Sequence, residues 1–292
     1  MQDSACNARL VTNFNKSHQR IKSQSTMKHL HNRSLAALVA LATAAGALWA
    51  LSAGVHAQTT APDSSVKLGL GLIINDDGYQ GMGIKTRVLP ALGVQTSRFS
   101  LRGTSAELVV TDPAKTDFSV NLRADLLLQG YKESDGPIFA GMARRKPSLL
   151  LGAGTKFATP VGQLWLEAGA DVTGNSKGYR SEVGLGWRIP TSSLAGNWTL
   201  SPYLSAQVNS ARLADYYYGV TAAEAIANRP AYQAGATTNF NIGLSASTDL
   251  TSNLSLVLGA RYRAYGSGIR QSPLMDSAGG LSGTASVLYR LY

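Results

Sequence analysis

Apolar and polar positions alternate along most of this chain. Trp198 to Asn209 reads WTLSPYLSAQVN, with Trp198, Leu200, Pro202, Leu204, Ala206 and Val208 on one parity and Thr199, Ser201, Tyr203, Ser205, Gln207 and Asn209 on the other. Successive side chains of a β-strand point to opposite faces, so the stretch predicts a strand with one apolar and one polar face. Its length matches the ~9–11 residues that a tilted strand needs to cross a bilayer. The same alternation runs through Val66–Ile74, Phe118–Gln129 and Gln163–Thr173. Met82–Val88, Ser105–Thr111, Ser148–Phe157, Tyr179–Arg188, Thr238–Thr248, Leu254–Ala264 and Ser282–Leu291 read as further strands. Pro90 is expected to break the strand before it. Leu92–Arg102 has its parity switched at Phe99 and Leu101, which a β-bulge would repair.

The breaks between strands have their own pattern. Residues 131–146, 211–237 and 265–281 are long, and the other connections are shorter. With the N-terminus in the periplasm, all three long loops fall on the outer side, as in outer-membrane barrels. Within the second loop, TAAEAIAN (Thr221–Asn228) reads as a short helix with a Thr cap and Glu224 at the capping-box position. The expected fold is all-β: a transmembrane antiparallel up-and-down β-barrel of about twelve strands, within about ten to fourteen, with one short helix in a long extracellular loop. Closure follows from lipid itself, where each strand needs two neighbours to satisfy its backbone.

The start of the chain changes the reading of composition. Met27 to Arg33 is basic, Leu35 to Leu51 is apolar, and Val55-His56-Ala57 offers small residues for cleavage. This is the layout of a secretory signal peptide. The expected organisation is an N-terminal extension at 1–26, a signal peptide at 27–57, a short lead-in at 58–65 and a barrel at 66–292. The formal charge is +10, but six of the 27 basic residues and one of the 17 acidic ones precede residue 58. The basic residues that remain are scattered, not clustered with aromatics, so nucleic-acid binding is not expected. Cys6 and all four histidines also precede residue 58. Once the leader is removed, no disulfide, thiol nucleophile, His/Cys zinc site or Ser-His-Asp triad can form. No catalytic residue, cofactor site or metal site is expected.

Two groups of residues stand out. The inward parities carry charges of both signs: Arg123, Asp125, Glu167, Asp171, Arg180, Glu182, Arg261 and Arg263, with Glu107 and Lys156 among others. They make either a basic-biased passage or a salt-bridge lattice that plugs a narrow barrel, since lumen width grows with strand number. Tyr216, Tyr217, Tyr218, Glu224 and Tyr232 form a Tyr-rich segment in the second long loop. It is either a partner-contact surface or a loop that packs onto its own barrel.

Several segments carry a family resemblance: DYYYGVTAAEAIANRPAY (Asp215–Tyr232), SPLMD (Ser272–Asp276), the closing GTASVLYRLY, GYQGMG with VLPALGVQTSRFSLRG between Gly78 and Gly103, and GYKESDGPIFAGMARRKPSLLLGAG (Gly130–Gly154). Together they resemble the MipA/OmpV family of outer-membrane proteins over essentially the whole expected barrel. The ending Tyr289-Arg290-Leu291-Tyr292 departs from the family's usual Tyr-x-Phe. The resemblance implies a non-catalytic protein of the Gram-negative outer membrane, in contact with its lipid. It further implies a scaffold joining a periplasmic murein transglycosylase to a murein synthase, or alternatively a porin-like or adhesive role.

Overall fold

The computed structural model describes residues 64–111, 118–192 and 196–292. The expected extension and signal peptide lie outside the described residues. Thirteen strands are assigned. They are β1 (Ser65–Asp76), β2 (Lys85–Gln95), β3 (Phe99–Arg102), β4 (Ser105–Val109), β5 (Phe118–Leu127), β6 (Ser148–Thr159), β7 (Gly162–Asp171), β8 (Tyr179–Gly186), β9 (Ile189–Thr191), β10 (Trp198–Asn209), β11 (Thr237–Asp249), β12 (Leu254–Ala264) and β13 (Gly279–Arg290). Neighbours pair antiparallel, and β1 pairs with β13, so the sheet closes on itself.

β8 and β9 are one strand. Tyr203 faces Gly186 and Leu200 faces Ile189, an unbroken register along β10. The interruption falls where Trp187 meets Pro202. The Trp187 amide donates to the Pro202 carbonyl at 3.0 Å, but proline has no N–H with which to return the bond. The barrel therefore has twelve strands plus this short continuation.

Apolar residues cover the outside. Leu70, Val88, Leu122, Leu166, Leu204, Leu244 and Val287 are all exposed, far beyond the apolar patches that soluble monomers present to water. They face lipid. Phe118 and Phe157 lie side by side on that surface with ring centroids 5.9 Å apart. The inward face holds polar groups and close-fitting aromatics. Trp165 lies over Gly184 and Tyr203 over Gly243, so a Cβ on either glycine would stand about 2 Å from the ring. The two rings meet edge to face at 6.2 Å and fill the lumen towards the short-turn end.

Three local expectations need correction. Leu92–Arg102 contains no bulge: the parity changes because the chain turns at Thr96–Arg98. There the Thr96 Oγ1 accepts from the amides of Arg98 and Phe99. Pro90 does not end its strand. It lies within β2, and its missing donor sits on the edge that faces away from β1. The helix of the second long loop is not at Thr221–Asn228 but at Ala211–Tyr218 (α1), capped by Ser210, whose side chain accepts from the Leu213 amide. Leu213, Ala214, Tyr217 and Tyr218 recur on one helical face and are buried. Thr221–Glu224 makes the expected capping-box contacts, but only a 3-10 turn at Ala222–Glu224 follows them. The Ile226–Arg229 bridge then turns the chain back. A short helix, α2 (Ser267–Arg270), lies in the third long loop.

Candidate functional site: a capped, charged lumen

The buried hydrophobic core is not between the strands. It lies at the long-loop end, where four connections fold together. Tyr79 comes from the first, Tyr131, Ile138, Phe139 and Met142 from the second, Leu213 to Val220 from the third, and Tyr265, Ile269 and Leu274 from the fourth. Aromatic rings organise this cap. Tyr79 stacks on Tyr218 at 5.5 Å, and Tyr131 on Phe139 at 4.4 Å. Each buried hydroxyl with a partner ties the cap down: Tyr79 donates to the Tyr217 carbonyl, Tyr217 to the Lys146 carbonyl, and Gln129 to the Tyr218 hydroxyl. Burial pushes the Tyr217 phenol up to about 12.

An ion pair locks the second and third connections. Arg145 donates to both oxygens of Glu224, at 2.9 and 2.8 Å, and both side chains are buried. The Arg145 guanidinium also lies over the rings of Tyr131 and Tyr216, 5.7 Å from each. Glu224 accepts further from the amides of Ala143 and Thr221. Burial alone pushes its carboxyl up, but these hydrogen bonds outweigh burial and hold it at about 2. Arg229 is 1% exposed and points its guanidinium at the carbonyls of Ile138, Ala140 and Glu224. Neither arginine was singled out in the sequence. Their partners lie across loops, where no local sequence pattern points to them.

The Tyr-rich segment therefore packs largely inward. Tyr217 and Tyr218 are buried, Glu224 is paired, and Tyr216 and Tyr232 are partly buried against the same core. The Tyr216 hydroxyl accepts from the Lys146 amide, and the Tyr232 hydroxyl donates to the Gly268 carbonyl.

Beneath the cap, the lumen charges divide into two groups. Arg123 reaches Glu107 at 3.3 Å, Asp125 at 3.1 Å and Glu167 at 3.0 Å, and Lys156 reaches Glu107 at 2.6 Å. This lattice ties the neighbouring strands β4, β5, β6 and β7 together along one side of the interior. Asp171 does not join it. It anchors the turn after β7, accepting from Thr173, Ser176 and Lys177. The second group is Arg180, Arg261 and Arg263, with Glu182 held by Gln207 at 2.9 Å. Arg263 donates to Asn241 and Arg261 to Ser282. None of these three arginines forms an ion pair among the described residues. They line a cavity of about 480 Å³ whose other walls include Ile73, Leu127, Leu150 and the lattice.

Comparison with known proteins follows this geometry. The family model described as MltA-interacting protein MipA matches residues 68–291. The outer membrane protein Omp26La of Vibrio anguillarum is 27% identical over 58% of this chain; the match spans 65% of that relative's length. The MltA-interacting protein of Escherichia coli (strain K12) is 25% identical over 80% of this chain and 92% of its own. Among solved structures, Neisserial surface protein A aligns over 77% of this chain and 96% of its own, with 11% identity and a TM-score of 0.26.

Proposed function

Since the chain belongs to the MltA-interacting protein MipA family, and relatives of it are named as outer membrane proteins, we propose that it is a non-catalytic scaffold rather than an open channel. Its partners in this reading are a periplasmic murein transglycosylase and a murein synthase. The observation that carries the reading is the obstruction of the lumen at two levels. The cap of buried tyrosines covers one end, and towards the other the Arg123 lattice, Trp165 and Tyr203 project into the lumen from β4 to β10. A barrel obstructed twice is suited to a surface role. The relative in Escherichia coli carries an interaction with MltA in its name.

The long loops are taken to face outward, after export through a cleaved signal peptide. The murein enzymes then meet the opposite, short-turn end, and the Tyr-rich signature maintains the cap instead of touching them. A protease-sensitive tag at Asn228 should be cut on intact cells. Crosslinkers placed at Asn253, in the turn between β11 and β12, should capture murein hydrolases and synthases. Protection of the tag on intact cells would invert the topology. Failure of crosslinking from Asn253 with the tag cut would remove the scaffold reading.

A further inference from the structure

The barrel wall is incomplete on one side. β2 pairs with β1 over Lys85–Gln95 but with β3 only at Gly93–Gln95. The β3–β4 hairpin is too short to follow β2 upward; it ends at the Gly103-Thr104 turn, beside Leu126 of β5. β5 itself ends at Leu127, so above that turn, among the described residues, no strand lies beside β2, and the facing wall is the connection that starts at Leu128. At the level of the turn, the two hairpin strands hold β2 and β5 three strand spacings apart, about 14 Å. The edge of β2 from Lys85 to Leu92 runs about 24 Å along this gap. A strand edge facing lipid leaves backbone groups without partners. The sequence answers this in part with Pro90, which removes one donor from that edge. The gap narrows towards the long-loop end, where Lys85 crosses it to Asp135 at 2.7 Å and to the Gly130 carbonyl. At its sill there is space: a Cβ on Gly103 would meet nothing within 4 Å.

The gap leads to the cavity under the cap. Thr104 and Ser105, from the hairpin, line that cavity together with Leu127. The walls differ in chemistry. Ile73, Leu127 and Leu150 give an apolar side near the gap, and Arg180, Arg261 and Arg263 a cationic side across the lumen. The Nε of Arg180 is buried and has no hydrogen-bond partner. A buried cationic donor without an acceptor is costly unless something supplies one. The cap covers one end and the lattice narrows the other, so the wall gap offers an occupant a route that avoids both.

We propose that this cavity binds an anionic amphiphile that enters sideways from the membrane through the window between β2 and β5. Its phosphate or carboxylate head meets Arg180, Arg261 and Arg263, and its alkyl chain lies along Ile73, Leu127 and Leu150 and leaves through the window beside Pro90 and Thr104. The volume lies within the range of small-molecule sites. This inference is independent of the scaffold reading, and either can fail alone.

The test uses the full barrel in phosphatidylcholine nanodiscs, with dodecyl phosphate and inorganic phosphate as probes and calorimetry as the readout. Dodecyl phosphate should bind, and Arg261→Gln with Arg263→Gln should weaken it at least tenfold. Thr104→Trp, which fills the sill, should weaken dodecyl phosphate by a similar factor and leave any binding of inorganic phosphate unchanged. Retained heat-modifiable migration confirms that each variant folds, and Arg263→Lys, which keeps the charge, should retain most of the affinity. No binding of dodecyl phosphate by the wild type overturns the proposal. Unaltered dodecyl phosphate binding in folded Thr104→Trp overturns the window, and unaltered binding in the double arginine variant overturns the head site.

Discussion

Single residues in the cap carry charge-dependent stability. Glu224 sits at about 2, well below its ordinary value of 4.5, through the bonds from Arg145 and the nearby amides. A depressed carboxyl contributes stability that is complete above the unfolded pKa and is lost as pH falls towards the folded one. The cap should therefore loosen between about pH 4.5 and pH 2 while the barrel persists. Protease cleavage within residues 131–146 and 211–236 should rise across that window, and Glu224→Gln should remove the transition by leaving the cap loosened at neutral pH. Breaking a buried pair by deleting one partner typically costs ~3–5 kcal/mol, so Glu224→Ala should expose the same sites at pH 7. Cleavage equal to wild type would show that the pair does not hold the cap. The capping-box contact of Glu224 was legible from T-x-x-E spacing. Its partner Arg145 was not, because 79 residues separate them and no local pattern connects two loops. The tyrosine run shows the same limit. Sequence supplied three adjacent rings, but helix phase decided that Tyr217 and Tyr218 turn inward and Tyr216 only partly so.

At the scale of elements, alternation was a sound guide because each strand turns one face outward and the other to the lumen. Trp198–Asn209 appears as β10 with the bounds read from parity alone. Leu204 is 50% exposed on the lipid face, and Gln207 is 3% exposed on the lumen side beside Glu182. Leu204→Arg should then cost ~2–4 kcal/mol if it lies near the bilayer midplane. Gln207→Arg should cost clearly less, since Glu182 can pair with it. Urea titration of barrels folded in lipid vesicles measures both, and equal costs would contradict the assigned faces. Where parity misled, backbone chemistry was the reason. A Thr96 side-chain turn imitated a bulge, and Pro90 looked like a stop only because its edge could not be known to be unpaired. Pro202 has the converse effect, interrupting a ladder whose register runs on. Pro202→Ala should restore one bond between β10 and Trp187, measurable as slower amide exchange at Trp187–Ile189. Unchanged exchange there would remove proline as the cause.

For the whole molecule, the scaffold reading proposed above places two closures in series. The cap rests on loop packing, and the lattice on Arg123, Glu107, Lys156 and Glu167 with the Trp165 and Tyr203 rings behind it. Ions crossing a barrel closed in this way would meet both, so removing one would leave the other as the resistance. Wild-type protein in planar bilayers should give no unitary steps. Replacing residues 211–234 by a short Gly-Ser linker should remove the cap yet leave the lattice, and conductance should stay near the baseline. Arg123→Ala with Trp165→Ala should open the lattice but leave the cap in place, again with little current. Only the combination should give stable steps, and these should favour anions because Arg180, Arg261 and Arg263 then line the open path. Steps in the wild type would show that the cap is a gate and not a seal, and would favour a porin-like role over a scaffold. Steps from cap removal alone would show that the lattice does not span the lumen. Sequence could name the charges on the inward parity but not choose between plug and passage, because that choice depends on which strands bring Arg123 and Glu167 together and on four loops meeting over them.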